Sequence, residues 1–188
     1  MKVHSPNSPA LPDEDAALMA QIREGHPEAL ESLVRRHQQP LVNFFRRMGA
    51  YTDAEDLAQE TFIRVYKYRD RYQPTAKFTS FLYTVARHAW LDLLRQFRKR
   101  EELTRRLEAD GPRSSDGGHP ASRLKMDADA ALRRLPEKLR SVIVLSFYQG
   151  LKYEEIAEIL RIPLGTVKSR VFTALNQLKE VWNNDAEQ

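Results

Sequence analysis

Along most of this 188-residue chain the apolar positions recur every three or four residues, and alternation with a period of two is hard to find. That is the repeat of an amphipathic helix, whose turn lines such positions along one face. The spacing therefore predicts an all-α protein. Ala17, Leu18 and Ile22 mark a first helix that opens at Asp13 and stops at Gly25. A second opens with Pro27 and carries Ala29, Leu30, Leu33 and Val34. Pro40 falls inside an apolar pattern that continues through Leu41, Val42, Phe44, Phe45 and Met48 to Gly49, so a kink or a break is expected there. A third helix is expected from about Asp53 to Arg69, and a fourth from about Thr79 to Arg100.

The texture then changes. Residues 101–122 read EELTRRLEADGPRSSDGGHPAS, charged first and then rich in Gly, Pro and Ser, with few apolar groups to bury. Beyond them Pro136 opens a helix bearing Leu139, Val142, Ile143 and Leu145, closed by Gly150. Two small helical domains follow, at 13–100 and 124–182, joined by a flexible linker at 101–123, with an N-terminal arm at 1–12 and a tail at 183–188.

The run Tyr153 to Leu178 carries a helix-turn-helix. Ile156, Ala157 and Leu160 share one helix face, and Val167, Val171, Ala174, Leu175 and Leu178 share another. Arg161, Ile162 and Pro163 interrupt the first helix, because proline has no N–H and biases its predecessor away from helical angles, while Gly165 allows close backbone approach. With Val167 and Val171 turned inward, Ser169, Phe172, Thr173 and Asn176 point outward, flanked by Lys168 and Arg170. Cations for phosphates or guanine edges, hydroxyls and an amide for bases, and an aromatic for a thymine methyl make duplex DNA the expected ligand of this face.

The third predicted helix sets Ala54, Leu57, Ala58, Phe62, Val65 and Tyr66 on a core face and Asp56, Gln59, Glu60, Ile63 and Lys67 on the opposite one. An isoleucine exposed among carboxylates gains by burial against a partner, so this row reads as a protein interface. The fourth interleaves aromatics with cations: Tyr72, Phe78, Phe81, Tyr83 and Trp90 lie near Lys77, Arg87, Arg95 and the run Arg98-Lys99-Arg100. Aromatic faces stack on unpaired bases and cations follow the backbone, which suits single-stranded nucleic acid. About half of these aromatics are expected to be core, with Leu82, Val85, Ala86 and Leu93 as companions.

Composition adds less. Thirty Lys and Arg against 26 Asp and Glu give a net charge of +4, a mild preference for polyanions. No run of eighteen apolar residues and no signal-peptide core is present, so neither a membrane span nor secretion is expected and the chain is placed in the cytoplasm. Cysteine is absent, which excludes disulfides and cysteine-based zinc sites, and His4, His26, His37, His88 and His119 show no metal-ligand spacing. Neither a metal nor a cofactor is expected.

Taken together, DAEDLAQETFIRVY, the segment around FLYTVARHAWLD, and LPEKLRSVIVLSFYQGLKYEEIAEILRIPLGTVKSRVFTAL resemble, in this order and spacing, the extracytoplasmic-function (ECF) sigma factors of the RNA polymerase sigma-70 superfamily. The resemblance spans roughly Ala16 to Val181. It implies a first domain (region 2) that binds the clamp of core RNA polymerase and opens the promoter's minus-ten element, and a second (region 4) that binds the flap and reads the minus-thirty-five element as duplex. It implies polymerase binding by Asp56, Gln59, Glu60 and Ile63, minus-ten contacts by Tyr72, Lys77, Arg87 and His88, and minus-thirty-five contacts by Lys168, Ser169, Arg170, Phe172 and Thr173. It also implies control by an anti-sigma factor. His88 stands where many members have Asn, Phe81 where Trp is common, Lys152 where a capping Ser is usual, and Thr173 where a longer cation is frequent.

The resemblance implies action by binding, with the polymerase performing the phosphoryl transfer. Two other classes stay open on the residues alone. A conventional helix-turn-helix regulator leaves the Ile63 row and the aromatic-cationic helix unexplained. A recombinase or nuclease using Asp53, Asp56 and Glu60 as metal ligands draws all three from one helix and lacks a companion carboxylate elsewhere.

Overall fold

A computed structural model describes residues 14–73, 77–108 and 128–186. The expected arm at 1–12 and residues 109–123 of the expected linker lie outside them. The described residues form helices and turns with no strand. The first domain contains α1 (Glu14–Arg23), α2 (Ala29–Met48), α3 (Ala54–Lys67), a 3-10 turn at Arg69–Arg71, and α4 (Phe78–Glu108). The second contains α5 (Ala128–Arg134), α6 (Glu137–Ile143) continuing into a π turn at Val144–Tyr148, α7 (Tyr153–Leu160) and α8 (Leu164–Ala186).

The expected break at Pro40 does not occur: α2 runs through it. Proline inside a helix costs about 3 kcal/mol. Against this, Leu33 precedes it and Leu41, Phe44 and Phe45 follow it into one core, each worth about 1.5–3 kcal/mol when buried. Pro40 itself is exposed, where solvent can satisfy the backbone acceptor that proline leaves without a donor. The helix ends as its sequence requires. Gly49 takes a left-handed φ of 111°, and the N–H of Ala50 returns to the carbonyl of Phe45 at 2.9 Å.

Two helices outrun their predicted ends. α4 continues to Glu108, into the predicted linker, although its side chains from Arg95 to Arg105 are exposed. Good helix formers and the Arg105–Glu101 pair at 3.0 Å carry this stretch, not burial. α8 passes residue 182 to reach Ala186.

In the helix-turn-helix, Lys152 offers no side-chain acceptor, but its N–H donates to Glu155 Oε2 at 2.7 Å, the return half of a capping box. The turn is made by Arg161 at φ 53°, a left-handed conformation rare for a residue with a Cβ. Ile156, Val167, Val171 and Ala174 bury the facing sides of α7 and α8. Leu175, expected in that core, is instead exposed over 43% of its surface. Because Ile156 is fully buried, Ile156→Ala should destabilise the second domain by about 2–5 kcal/mol, read as a lowered unfolding midpoint in denaturant.

The two domains pack on each other. α4 lies against α7, and α2 against α5, α6 and the π turn. Arg140 of α6 sends Nη1 across the seam to the carbonyl of Met48 at 2.8 Å, while its Nη2 donates to the carbonyls of Leu135 at 2.9 Å and Arg133 at 3.2 Å. The Tyr83 hydroxyl donates to Gln149, Lys77 pairs with Glu155 at 3.1 Å, and Arg47 pairs with Asp129 at 3.2 Å and covers the Tyr148 ring at 4.0 Å. A small cavity of about 10 Å³ lies at the seam, lined by Phe44, Met48, Tyr83, Arg87, Trp90, Ser141 and Leu145 among others.

Candidate polymerase and nucleic-acid interface

The α3 row has the form its spacing predicts. Leu57, Ala58, Phe62 and Val65 are buried, while Asp56, Gln59 and Ile63 are exposed and Glu60 is half-buried. Ile63 shows 61% of its surface. Tyr66 departs from expectation: it is exposed, with the Arg69 guanidinium 4.7 Å from its ring centre, and Thr61 takes the core position, its hydroxyl donating to the Leu57 carbonyl at 2.7 Å. Glu60 is the fastened member of the row. It accepts from Arg64 Nε at 2.7 Å, and Arg64 Nη1 reaches Asp92 of α4 at 2.6 Å. Burial works against the Arg64 charge, but bonds to Glu60 and Asp92 outweigh it and raise the guanidinium pKa.

The four expected minus-ten residues, two on α4 and two before it, separate. His88 lines a pocket of about 410 Å³ together with Arg64, Tyr68, Arg71, Phe81, Thr84, Asp92, Arg95 and, from the second domain, Arg161. Lys77 is exposed beside the start of α4 and is engaged by Glu155. Arg87 faces the seam cavity instead of the pocket. Tyr72 is buried, edge-on to Phe78 at 6.2 Å and tilted against Phe81 at 5.4 Å, so in this arrangement it braces Phe81 instead of presenting a face to a base. Tyr83 and Trp90 are buried as well. The pocket partners Arg64, Tyr68, Arg71 and Thr84 were missed in sequence. Phe81, Thr84, His88 and Asp92 recur at three and four residues, a periodic signal that could have grouped them.

The pocket is cationic. Burial, then the charges of Arg161 and Arg87, lower the His88 pKa from its ordinary value near 6.5, against a smaller opposing effect of Asp92. Burial also lowers that of Arg87, with Arg161 and Arg170 adding repulsion and Glu137 opposing it. A histidine whose pKa is lower folded than unfolded binds fewer protons in the native state, so stability is retained above the unfolded pKa and falls as pH drops through 6.5 toward the folded value. His88→Asn should flatten this part of the stability profile between about pH 7.5 and 5.5, measured by denaturant titration at each pH.

On α8, Lys168, Ser169, Phe172, Thr173 and Asn176 are exposed and Arg170 is half-buried. Phe172 shows 68% of its surface. The Ser169 hydroxyl donates to the Thr166 carbonyl at 3.1 Å, leaving its lone pairs for an incoming donor. Arg170 acts electrostatically on Arg87, toward the seam. Asp53, Asp56 and Glu60 lie at or near one helix, and among the described residues no three His, Cys, Asp or Glu are placed to hold a metal ion. No helix of the described residues is long and apolar enough to cross a membrane.

An exposed isoleucine-carboxylate row, an aromatic-lined cationic pocket and an exposed polar helix face are thus carried on two small helical domains. Residues 33–101 match the sigma-70 region 2 family and residues 125–178 match sigma-70 region 4. The chain is 30% identical over 174 residues to the ECF RNA polymerase sigma factor SigW of Bacillus subtilis, covering 85% of this chain and 92% of that one. It is 37% identical over 156 residues to ECF sigma factor SigE of Mycolicibacterium smegmatis, covering 80% of this chain and 60% of that longer relative. The sigma factor RpoE of Bartonella quintana, solved in complex with the anti-sigma factor NepR, superposes with a TM-score of 0.64 at 27% identity over 81% of this chain and 96% of that one. The chain belongs to the ECF sigma factors: it binds core RNA polymerase and directs it to promoters.

Proposed function

We propose that the Asp56–Gln59–Glu60–Ile63 row docks this sigma factor on the polymerase clamp, that the His88 pocket receives a base unstacked from the minus-ten element, and that Lys168, Ser169, Phe172 and Thr173 read the minus-thirty-five element as duplex. The observation that carries this reading is the pairing of an exposed isoleucine-carboxylate row on the first domain with a pocket of about 410 Å³ lined by Phe81, Tyr68 and cations of that domain and by Arg161 of the second. Base capture offsets part of the cost of melting, a few kcal/mol per extruded base. Each domain alone presents a small DNA-reading surface. Held on polymerase, the two act together at high effective concentration. The protein works in the cytoplasm, by binding, and the polymerase supplies the chemistry. An anti-sigma factor that covers the polymerase-binding faces is its regulator, as one is bound to the Bartonella relative.

The test is transcription by core polymerase plus this chain from a randomised promoter library. A shared two-part promoter is expected, with His88→Asn changing preference only in its downstream element and Thr173→Arg only in its upstream one. Specific duplex binding by the chain alone, with no transcript when polymerase is added, would replace this reading by that of an ordinary helix-turn-helix regulator.

A further inference from the structure

Four charges run in a line from the α3 row to the α4 pocket. Glu60 accepts from Arg64 at 2.7 Å, Arg64 donates to Asp92 at 2.6 Å, and Asp92 pairs with Arg95 at 2.7 Å. Arg64, Asp92 and Arg95 line the pocket, whereas Glu60 stands outside it on the face assigned to polymerase. Arg64 is held between helices with most of its side chain covered, so it serves both surfaces from a single place. Two carboxylates and two guanidiniums sum to zero. Engaging the Glu60 carboxylate with a cation of a docking partner removes one negative charge from that sum and leaves the three pocket-lining groups at net +1.

We propose that Arg64 is a positioning residue that couples polymerase docking at Glu60 to strand capture in the His88 pocket; this rests on the reading of the two surfaces given above. In the free chain Glu60 holds part of the Arg64 charge away from the pocket. On polymerase, Glu60 turns to the partner and Arg64 acts wholly on the pocket side, where the backbone phosphate of an entering strand meets it. By linkage, a bound strand tightens docking by the same factor. Asp56 gives the discriminating comparison, since it carries the same charge, is exposed on the same row, and is one turn before Glu60 on α3.

The experiment measures binding of a fluorescent single-stranded oligonucleotide, carrying the minus-ten sequence selected from the promoter library, to the full chain and to holoenzyme. Glu60→Gln should raise the affinity of the free chain about three- to tenfold and steepen its salt dependence by about 0.7 in log–log slope, one additional phosphate contact. Asp56→Asn should change the oligonucleotide affinity of the free chain, where no polymerase contact is at stake, by less than twofold, and Glu60→Gln should gain nothing in an Arg64→Gln background. Arg64→Lys, which keeps the charge, should restore part of the gain. Equal effects of Glu60→Gln and Asp56→Asn, or a gain that persists without Arg64, would overturn the relay while leaving the pocket intact. Oligonucleotide binding by holoenzyme that ignores Phe81→Ala and His88→Ala would overturn the pocket assignment itself, and the relay with it.

Discussion

Ile63→Glu is expected to lower affinity for core RNA polymerase by at least thirtyfold without unfolding the chain. Ile63 is 61% exposed on α3 and contributes little to the fold, so an exposed substitution there changes stability by no more than about 0.5 kcal/mol. On a partner the balance differs. Burying an isoleucine side chain is worth about 1.5–3 kcal/mol, and the variant forfeits that gain while desolvating a new carboxylate beside Asp56 and Glu60. The sum places the position among interface hot spots, whose loss costs about 2 kcal/mol or more. A titration of fluorescent polymerase reads the affinity, and thermal unfolding reads the stability. Wild-type affinity in the variant would remove α3 from the docking surface. A lowered midpoint would instead show that Ile63 has a structural role its exposure does not reveal.

What was legible in the chain followed from local periodicity. The three- and four-residue spacing around Leu57, Phe62 and Val65 located the buried side of α3 and, by opposition, the exposed Ile63. The same rule put Val167 and Val171 inside α8 and Phe172 outside. Periodicity failed where a position was decided by a neighbour distant in sequence. Tyr72 is buried because Phe78 and Phe81 close over it, and Arg87 faces the seam because the second domain covers that side of α4. Pro40 misled for the related reason that tertiary burial on both sides outweighed its local penalty. The end of α4 was missed for the opposite reason: exposed charged residues read as linker also make good helix when paired at four-residue spacing.

The seam between the domains was invisible in sequence, and Arg140 is expected to control it. The promoter elements are centred about 25 base pairs apart, or about 85 Å of duplex at 3.4 Å per step. If the two domains read the two elements as proposed, domains in direct contact cannot span that distance, and the packed form is expected to open when polymerase and promoter are engaged. Its fastening is uneven. Arg47–Asp129 has an exposed carboxylate and is worth at most about 1 kcal/mol. Arg140 crosses the seam in a more buried place, donating to the Met48 carbonyl at the end of α2, where Gly49 leaves room: a Cβ there would stand 3.1 Å from the guanidinium. Burial lowers the Arg140 pKa, and its Nε and the Trp90 indole N–H are buried without a hydrogen-bond partner among the described residues, so closure also carries a cost. A hydrogen bond from a charged donor contributes about 1.5–3 kcal/mol net, and its loss shifts the closed-to-open ratio about ten- to 150-fold. Because the chain has no cysteine, Glu31→Cys and Lys179→Cys accept a donor and acceptor dye on exposed positions of the two domains. Energy transfer should fall in wild type on adding core polymerase, and should already be low in free Arg140→Ala, while Asp129→Asn stays near wild type. Free Arg140→Ala that retains wild-type transfer would show that the apolar seam, and not this guanidinium, holds the domains together.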